Sequence, residues 1–225
     1  MDWRTDIKAV LFDFAGTLVS GHLDTDASRR DAVSLLRSWG YTVTLRQFEE
    51  AIEASLVQVR KRRLEGRETL YQTVISSTLA SLGIEATSSL VYRLEETDYT
   101  HYHWRLRRGV RSSLVTLHED KLLGVVSNSW ADSVTRVLHV SGLREYLDVV
   151  VLSKDVGYRK PDRRIFLRAM EKLGLEPRQI AYVGDNYSDD VLGPMAMGMI
   201  PIWKGTAVGV DALDIPAVLT RMLPK

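Results

Sequence analysis

The sequence predicts an α/β fold: a parallel sheet flanked by helices, with a helical segment inserted after the first strand. Three observations carry that reading. Beyond Gly109, short Val- and Leu-rich runs alternate with amphipathic stretches. A matching apolar run, Ala9 to Phe12, stands alone far upstream. Between the two, from Ser20 onward, apolar residues recur at helical spacing. Strands alternating with helices pair in parallel through right-handed crossovers. The chain has 225 residues, 45% of them hydrophobic, which suffices for a buried core.

Taken in order, the first strand ends in Asp13 and a turn of Ala15, Gly16 and Thr17. Helices are expected near Thr25 to Trp39, Leu45 to Arg63, Glu68 to Leu82 and Ser88 to Tyr102, with breaks at Gly40, Gly66 and Gly83. His101, Tyr102, His103 and Trp104 then read as a linker packing its aromatics on the core. Downstream, LLGVVSN precedes a helix over Asp132 to His139, LDVVVLS one over Arg163 to Leu173, and IAYVGD one over Asp189 to Met197, before a last strand at IPIW. The switches in periodicity divide the chain into a sheet-bearing core, 1–20 with 109–225, and a helical insert, 21–108.

With 30 Lys plus Arg against 29 Asp plus Glu, the net charge of +1 demands no nucleic-acid or anionic-membrane partner. The absence of Cys excludes thiolate metal sites and a cysteine nucleophile. No apolar run approaches the length of a membrane span and no leader pattern opens the chain, so a cytoplasmic location is expected. The oligomeric state is not legible.

In parallel sheets, ligands bind outside the carboxyl ends of the strands. Four polar groups fall there: Asp13 with Thr17, Ser127 with Asn128 in VVSNS, Lys160 in GYRKPD, and Asp185, Asp189 and Asp190 in GDNYSDD. A phosphoryl group in transfer needs an in-line nucleophile, hydroxyl and backbone donors, a cation, and Mg2+ held by carboxylates. The four groups supply each of these. A carboxylate nucleophile at Asp13 splits transfer into two displacements, and Asp13, Asp185 and Asp190 suit the oxygen preference of Mg2+.

In this order DFAGT, VVSNS, GYRKPD and GDNYSDD resemble the motifs of the haloacid dehalogenase superfamily, in the branch with a helical cap after the first strand; GPMAMGM fits the helix that follows. The resemblance implies a Rossmann-like core with a cap, and a Mg2+-dependent hydrolase of a small phosphorylated metabolite. It implies Asp13 as nucleophile, and phosphate contacts from Ser127 and Lys160. It further implies metal binding by Asp13, Asp185, Asp190 and the backbone carbonyl of Ala15. Gly16 and Asn128 are candidates for substrate or phosphate contact, and Asp189 for an outer-shell or capping role.

The departure is Ala15, where the family's phosphatases carry a second aspartate that protonates the leaving oxygen. Such assistance contributes about 100- to 10,000-fold, so good leaving groups such as acyl or aryl phosphates are expected. The phosphonoacetaldehyde hydrolase branch resembles this chain at the same Ala, and there a cap lysine forms a Schiff base. Lys61 is the sole lysine of the insert and lies in QVRKRRLEGR, a run that also reads as a solvated basic face. Arg63 and its neighbours are candidates for a substrate anion, and His22 for a substitute acid. A turnover-deficient protein that binds a phosphate ligand is the alternative outside enzymes.

Overall fold

A computed structural model describes residues 7–204. The strands are β1 (Ala9–Phe12), β2 (Val19–Leu23), β3 (Tyr102–Leu106), β4 (Leu122–Ser127), β5 (Val149–Leu152), β6 (Ile180–Gly184) and β7 (Ile200–Trp203). The chain divides into two compact units, one holding the described residues up to Ser20 and from Arg105 onward, the other Gly21–Trp104.

The first unit is a Rossmann-like α/β fold around a five-stranded sheet in the order β5-β4-β1-β6-β7. Every neighbouring pair is parallel, and Leu11 at the centre stands opposite Gly124 on one side and Tyr182 on the other. Both β1 and β6 are buried at every position. Strands covered on both faces read as continuous apolar runs, which is why AVLF and IAYVG show no alternation. The associated helices are α5 (Val110–His118), α6 (Ser133–Val140), α7 (Ser153–Val156), α8 (Arg163–Leu173) and α9 (Gly193–Ala196), numbered after the four of the second unit. Helix α8 buries Ile165, Phe166 and Ala169 in a cluster with Leu11, Val126, Val151 and Tyr182.

In the second unit, α1 (Thr25–Ser38) is capped by Asp24 and α2 (Leu45–Leu64) by a reciprocal Thr44–Gln47 box. Helices α3 (Tyr71–Ser81) and α4 (Ser88–Thr100) complete it. Among the described residues, no helix is long and apolar enough to cross a membrane.

Several expectations need correction. The third helix begins at Tyr71 rather than Glu68, and the fourth ends at Thr100. Tyr102–Leu106 is a strand, not a linker, and pairs with Val19–Leu23, which the helical pattern had absorbed. Bonds from Arg107 N to Leu18 O (3.0 Å) and from Asp24 N to His101 O (3.1 Å) bracket the pair and make it antiparallel. VSGHL lacks a clean alternation of apolar and polar residues, so nothing local announces a strand. The chain turns helical at Ser153, immediately after β5, and Val110–His118 forms a further helix.

Candidate active site

Three strand ends deliver the site. Asp13 follows β1, and its N–H extends the ladder to Val183 O at 2.8 Å. Ser127, buried, is the last residue of β4, and Asp185 follows the end of β6. Because β4 and β6 flank β1, these ends adjoin where the strand order reverses, the usual ligand edge of such sheets.

Asp190 comes from a π-helical turn, Tyr187–Leu192, entered through Asn186. Asn186 Oδ1 accepts from Asp189 N at 3.0 Å, and Asn186 N donates to Asp190 Oδ2 at 2.9 Å. Asn186 thus caps the turn through its side chain, while its N–H holds the Asp190 carboxylate inward.

Lys160 arrives from the loop beyond α7, and Asn128 fixes its backbone. Lys160 N donates to Asn128 Oδ1 at 2.7 Å, while Asn128 Nδ2 donates to Lys160 O at 3.2 Å and to Asp189 Oδ2 at 3.0 Å. Asn128, expected to contact substrate or phosphate, here engages Lys160 and Asp189 through its amide and clamps the Lys160 backbone. Asp189 stands behind that clamp.

The buried Lys160 Nζ lies 2.7 Å from Asp13 Oδ1, 2.7 Å from Asp190 Oδ1 and 2.9 Å from Tyr182 OH. Burial opposes charge on Lys160, but Asp13, Tyr182 and Asp190 outweigh it and raise its pKa well above the ordinary lysine value. At Asp13 burial prevails over the attraction of Lys160, and with Asp190 adding repulsion it pushes the pKa up to about 6. Asp185 is also raised, first by burial and then by Asp190. One ammonium thus faces two carboxylates with a third alongside, an excess of negative charge that a cation would neutralise.

The donor set fits a hard divalent cation. Asp13, Asp185 and Asp190 each offer an oxygen within 4.8 Å of the others. The backbone closes tightly around them. Gly16 has φ +85°, and a Cβ there would stand 2.0 Å from Asp185 Oδ2; one on Gly184 would stand 2.3 Å from Asp190 Cβ. Only glycine satisfies both the left-handed backbone and the close approach at position 16.

The Thr17 hydroxyl is buried and has no hydrogen-bond partner among the described residues, which costs about 1–3 kcal/mol until an acceptor arrives. Ala15 is exposed in the same turn. Two neighbours escaped sequence reasoning: Lys204, whose Nζ donates to Gly16 O at 3.1 Å, and Trp203, whose indole N–H donates to Asp185 O at 3.1 Å. Both follow from β7 lying beside β6.

The remaining candidates belong to the second unit. Lys61 is exposed on α2, where a Schiff-base lysine requires burial or some other depression of its pKa. Arg63 lies 3.9 Å from the buried Glu68. His22 is exposed on β2 and faces His103, with ring centroids 5.5 Å apart.

Comparison with known proteins gives the chain a family. A relative from Methanopyrus kandleri, a glyceraldehyde 3-phosphate phosphatase, is 26% identical over 197 residues, 87% of this chain and 83% of its own. Human haloacid dehalogenase-like hydrolase domain-containing protein 3 is 32% identical over 155 residues, 68% of this chain and 60% of its own. The crystal structure of a 2-haloacid dehalogenase from Pseudomonas syringae matches with a TM-score of 0.67 at 25% identity, covering 96% of this chain and all of that one. A family model for haloacid dehalogenase-like hydrolases matches residues 7–198. From the strand-end carboxylates and this match, the chain belongs to the haloacid dehalogenase-like hydrolases.

Proposed function

We propose that this hydrolase cleaves small phosphorylated metabolites in a Mg2+-dependent reaction through an aspartyl-phosphate at Asp13, with the unit bearing the sheet as the chemical core and the insert as its cap. The observation that carries the reading is the buried contact of Lys160 with Asp13 and Asp190, beside Asp185, at the carboxyl edge of the sheet.

In the first step an Asp13 carboxylate oxygen attacks phosphorus, the bond from phosphorus to the ester oxygen breaks, and its electron pair leaves with the departing group. In the second, water attacks the phosphorus of the aspartyl-phosphate, the bond to Asp13 breaks, and inorganic phosphate departs. The proton lost by the water balances the one gained by the leaving oxygen. Ser127 and Thr17 supply donors to the phosphoryl oxygens and Lys160 supplies its positive charge beside them; the Thr17 hydroxyl, without a hydrogen-bond partner among the described residues, supports that role. Mg2+, held by Asp13, Asp185, Asp190 and the Ala15 carbonyl, would neutralise charge on the phosphoryl group. No acidic side chain stands at position 15, so the leaving oxygen must depart as a weak base.

Similarity to a glyceraldehyde 3-phosphate phosphatase supports a phosphate ester as substrate. The dehalogenase likeness favours a second reading, displacement of halide by Asp13. The clustered carboxylates speak against it, because carbon–halogen displacement presents no multiply charged group for a cation to neutralise. Wild-type turnover of an aryl phosphate, an alkyl phosphate and a 2-haloacid decides between the two. Mg2+-dependent phosphate release is expected, slower by about 100- to 10,000-fold from the alkyl ester; halide release without added cation would establish the dehalogenase.

The pKa of about 6 at Asp13 makes cation binding depend on pH. Above that value the carboxylate is already ionised; below it, a cation must displace a proton. The Kd for Mg2+, measured by calorimetry, is therefore expected to be flat above about pH 7 and to rise up to about tenfold per unit below pH 6. A flat profile throughout would remove Asp13 from the ligand set.

A further inference from the structure

Tyr182 belongs to the buried cluster yet has no part in the steps above. Its side chain is fully buried, and its ring meets Phe166 edge-on at 5.6 Å. Its hydroxyl lies 2.9 Å from Val126 O and 2.9 Å from Lys160 Nζ. A phenol has one proton. Tyr182 therefore donates to the Val126 carbonyl and accepts from Lys160, and both roles are fixed. Val126 is on β4 and Tyr182 on β6, so the phenol reaches past β1, whose end carries Asp13.

An ammonium has three N–H donors. Those of Lys160 are directed at Asp13, Asp190 and Tyr182, one each. The carboxylates offset its charge, whereas the phenol orients it without neutralising it. Asn128 secures the backbone of the same residue, so Lys160 is held at its root and at its tip. Without the hydroxyl, one N–H of Lys160 would lose its acceptor in a buried site, and the ammonium would settle further onto the carboxylates.

We propose that Tyr182 is a positioning residue that holds the Lys160 ammonium at its angle toward the transferring phosphoryl group and acts on the reaction only through Lys160. The inference rests on the phosphatase reading for what Lys160 does there. Preorganised donors owe their effect to fixed geometry, and small displacements are costly.

A double-mutant cycle tests it, with Tyr182→Phe, Lys160→Met and the pair assayed for kcat, KM and inhibition by orthovanadate. Tyr182→Phe keeps the ring and its packing. It is expected to lower kcat about tenfold and weaken vanadate by a similar factor, with KM changed less than about twofold. The double variant is expected to be no worse than Lys160→Met alone. Effects that multiply, or an unchanged kcat in Tyr182→Phe, would overturn the proposal. If Tyr182→Phe does not fold, 3-fluorotyrosine at position 182 preserves shape while weakening the acceptor; it should lower kcat in the same direction, and no change would also overturn the proposal. Should the wild type lack Asp13-dependent turnover, the phosphatase reading fails, and the same cycle read by phosphate affinity still decides the role of Tyr182.

Discussion

Asp13→Asn is expected to lower kcat on any phosphate ester by more than about a thousandfold, because the attacking carboxylate is replaced by a weakly nucleophilic amide. The amide is nearly isosteric, so the fold should survive. Lys160 keeps Asp190 and Tyr182 as partners, and the burial that disfavours a charged Asp13 is relieved. Melting temperature without cation should therefore hold or rise at pH 7, while turnover vanishes. The two readouts together separate loss of chemistry from loss of structure. A variant retaining more than a tenth of wild-type kcat would show that another group attacks phosphorus, and the aspartyl-phosphate would be abandoned.

Ala15→Asp is expected to act in the opposite direction and selectively. Position 15 is exposed in the turn that follows Asp13, so a carboxyl group there meets solvent rather than packed atoms. Placed to protonate the leaving oxygen, it should raise kcat on an alkyl phosphate by about 100- to 10,000-fold, the range of general acid catalysis. Aryl phosphates leave without that help and should gain far less. The diagnostic quantity is the ratio of alkyl to aryl kcat in the variant against wild type. An unchanged ratio would mean that wild type already has a proton donor, and His22→Ala becomes the next variant to assay.

Much of this site could be read from the chain because its parts are local. β1, β4 and β6 are short apolar runs, and each leads to the residue that matters: Asp13, Ser127, Asp185. What escaped depends on contacts between distant segments. Tyr182 looks like any aromatic in a buried strand, and only the approach of Lys160 and Val126 gives its hydroxyl a task. Asn128, next to Ser127, gains its hold on the Lys160 backbone only because Lys160, 32 positions later, comes alongside it. Lys204 gains meaning only because β7 lies against β6. The β2–β3 pair was invisible for a related reason, since each strand is defined by a partner on the far side of the helical insert.

That pair also bears on how the chain folds. Residues 13 to 121 separate β1 from β4, its neighbour in the sheet, a long loop to close before the two can pair. Once Gly21–Trp104 has formed and β2 has joined β3, the ends of that loop are held together, and only the short segments flanking the ribbon remain to be ordered. Closure entropy varies with the logarithm of loop length, so shortening the effective loop about fivefold lowers the cost of pairing β1 with β4 by about 1.4 kcal/mol. Helical segments rich in local contacts also form faster than parallel sheets. The ribbon thus shortens the closure that must precede the contact of Asp13 with Lys160, 147 residues away.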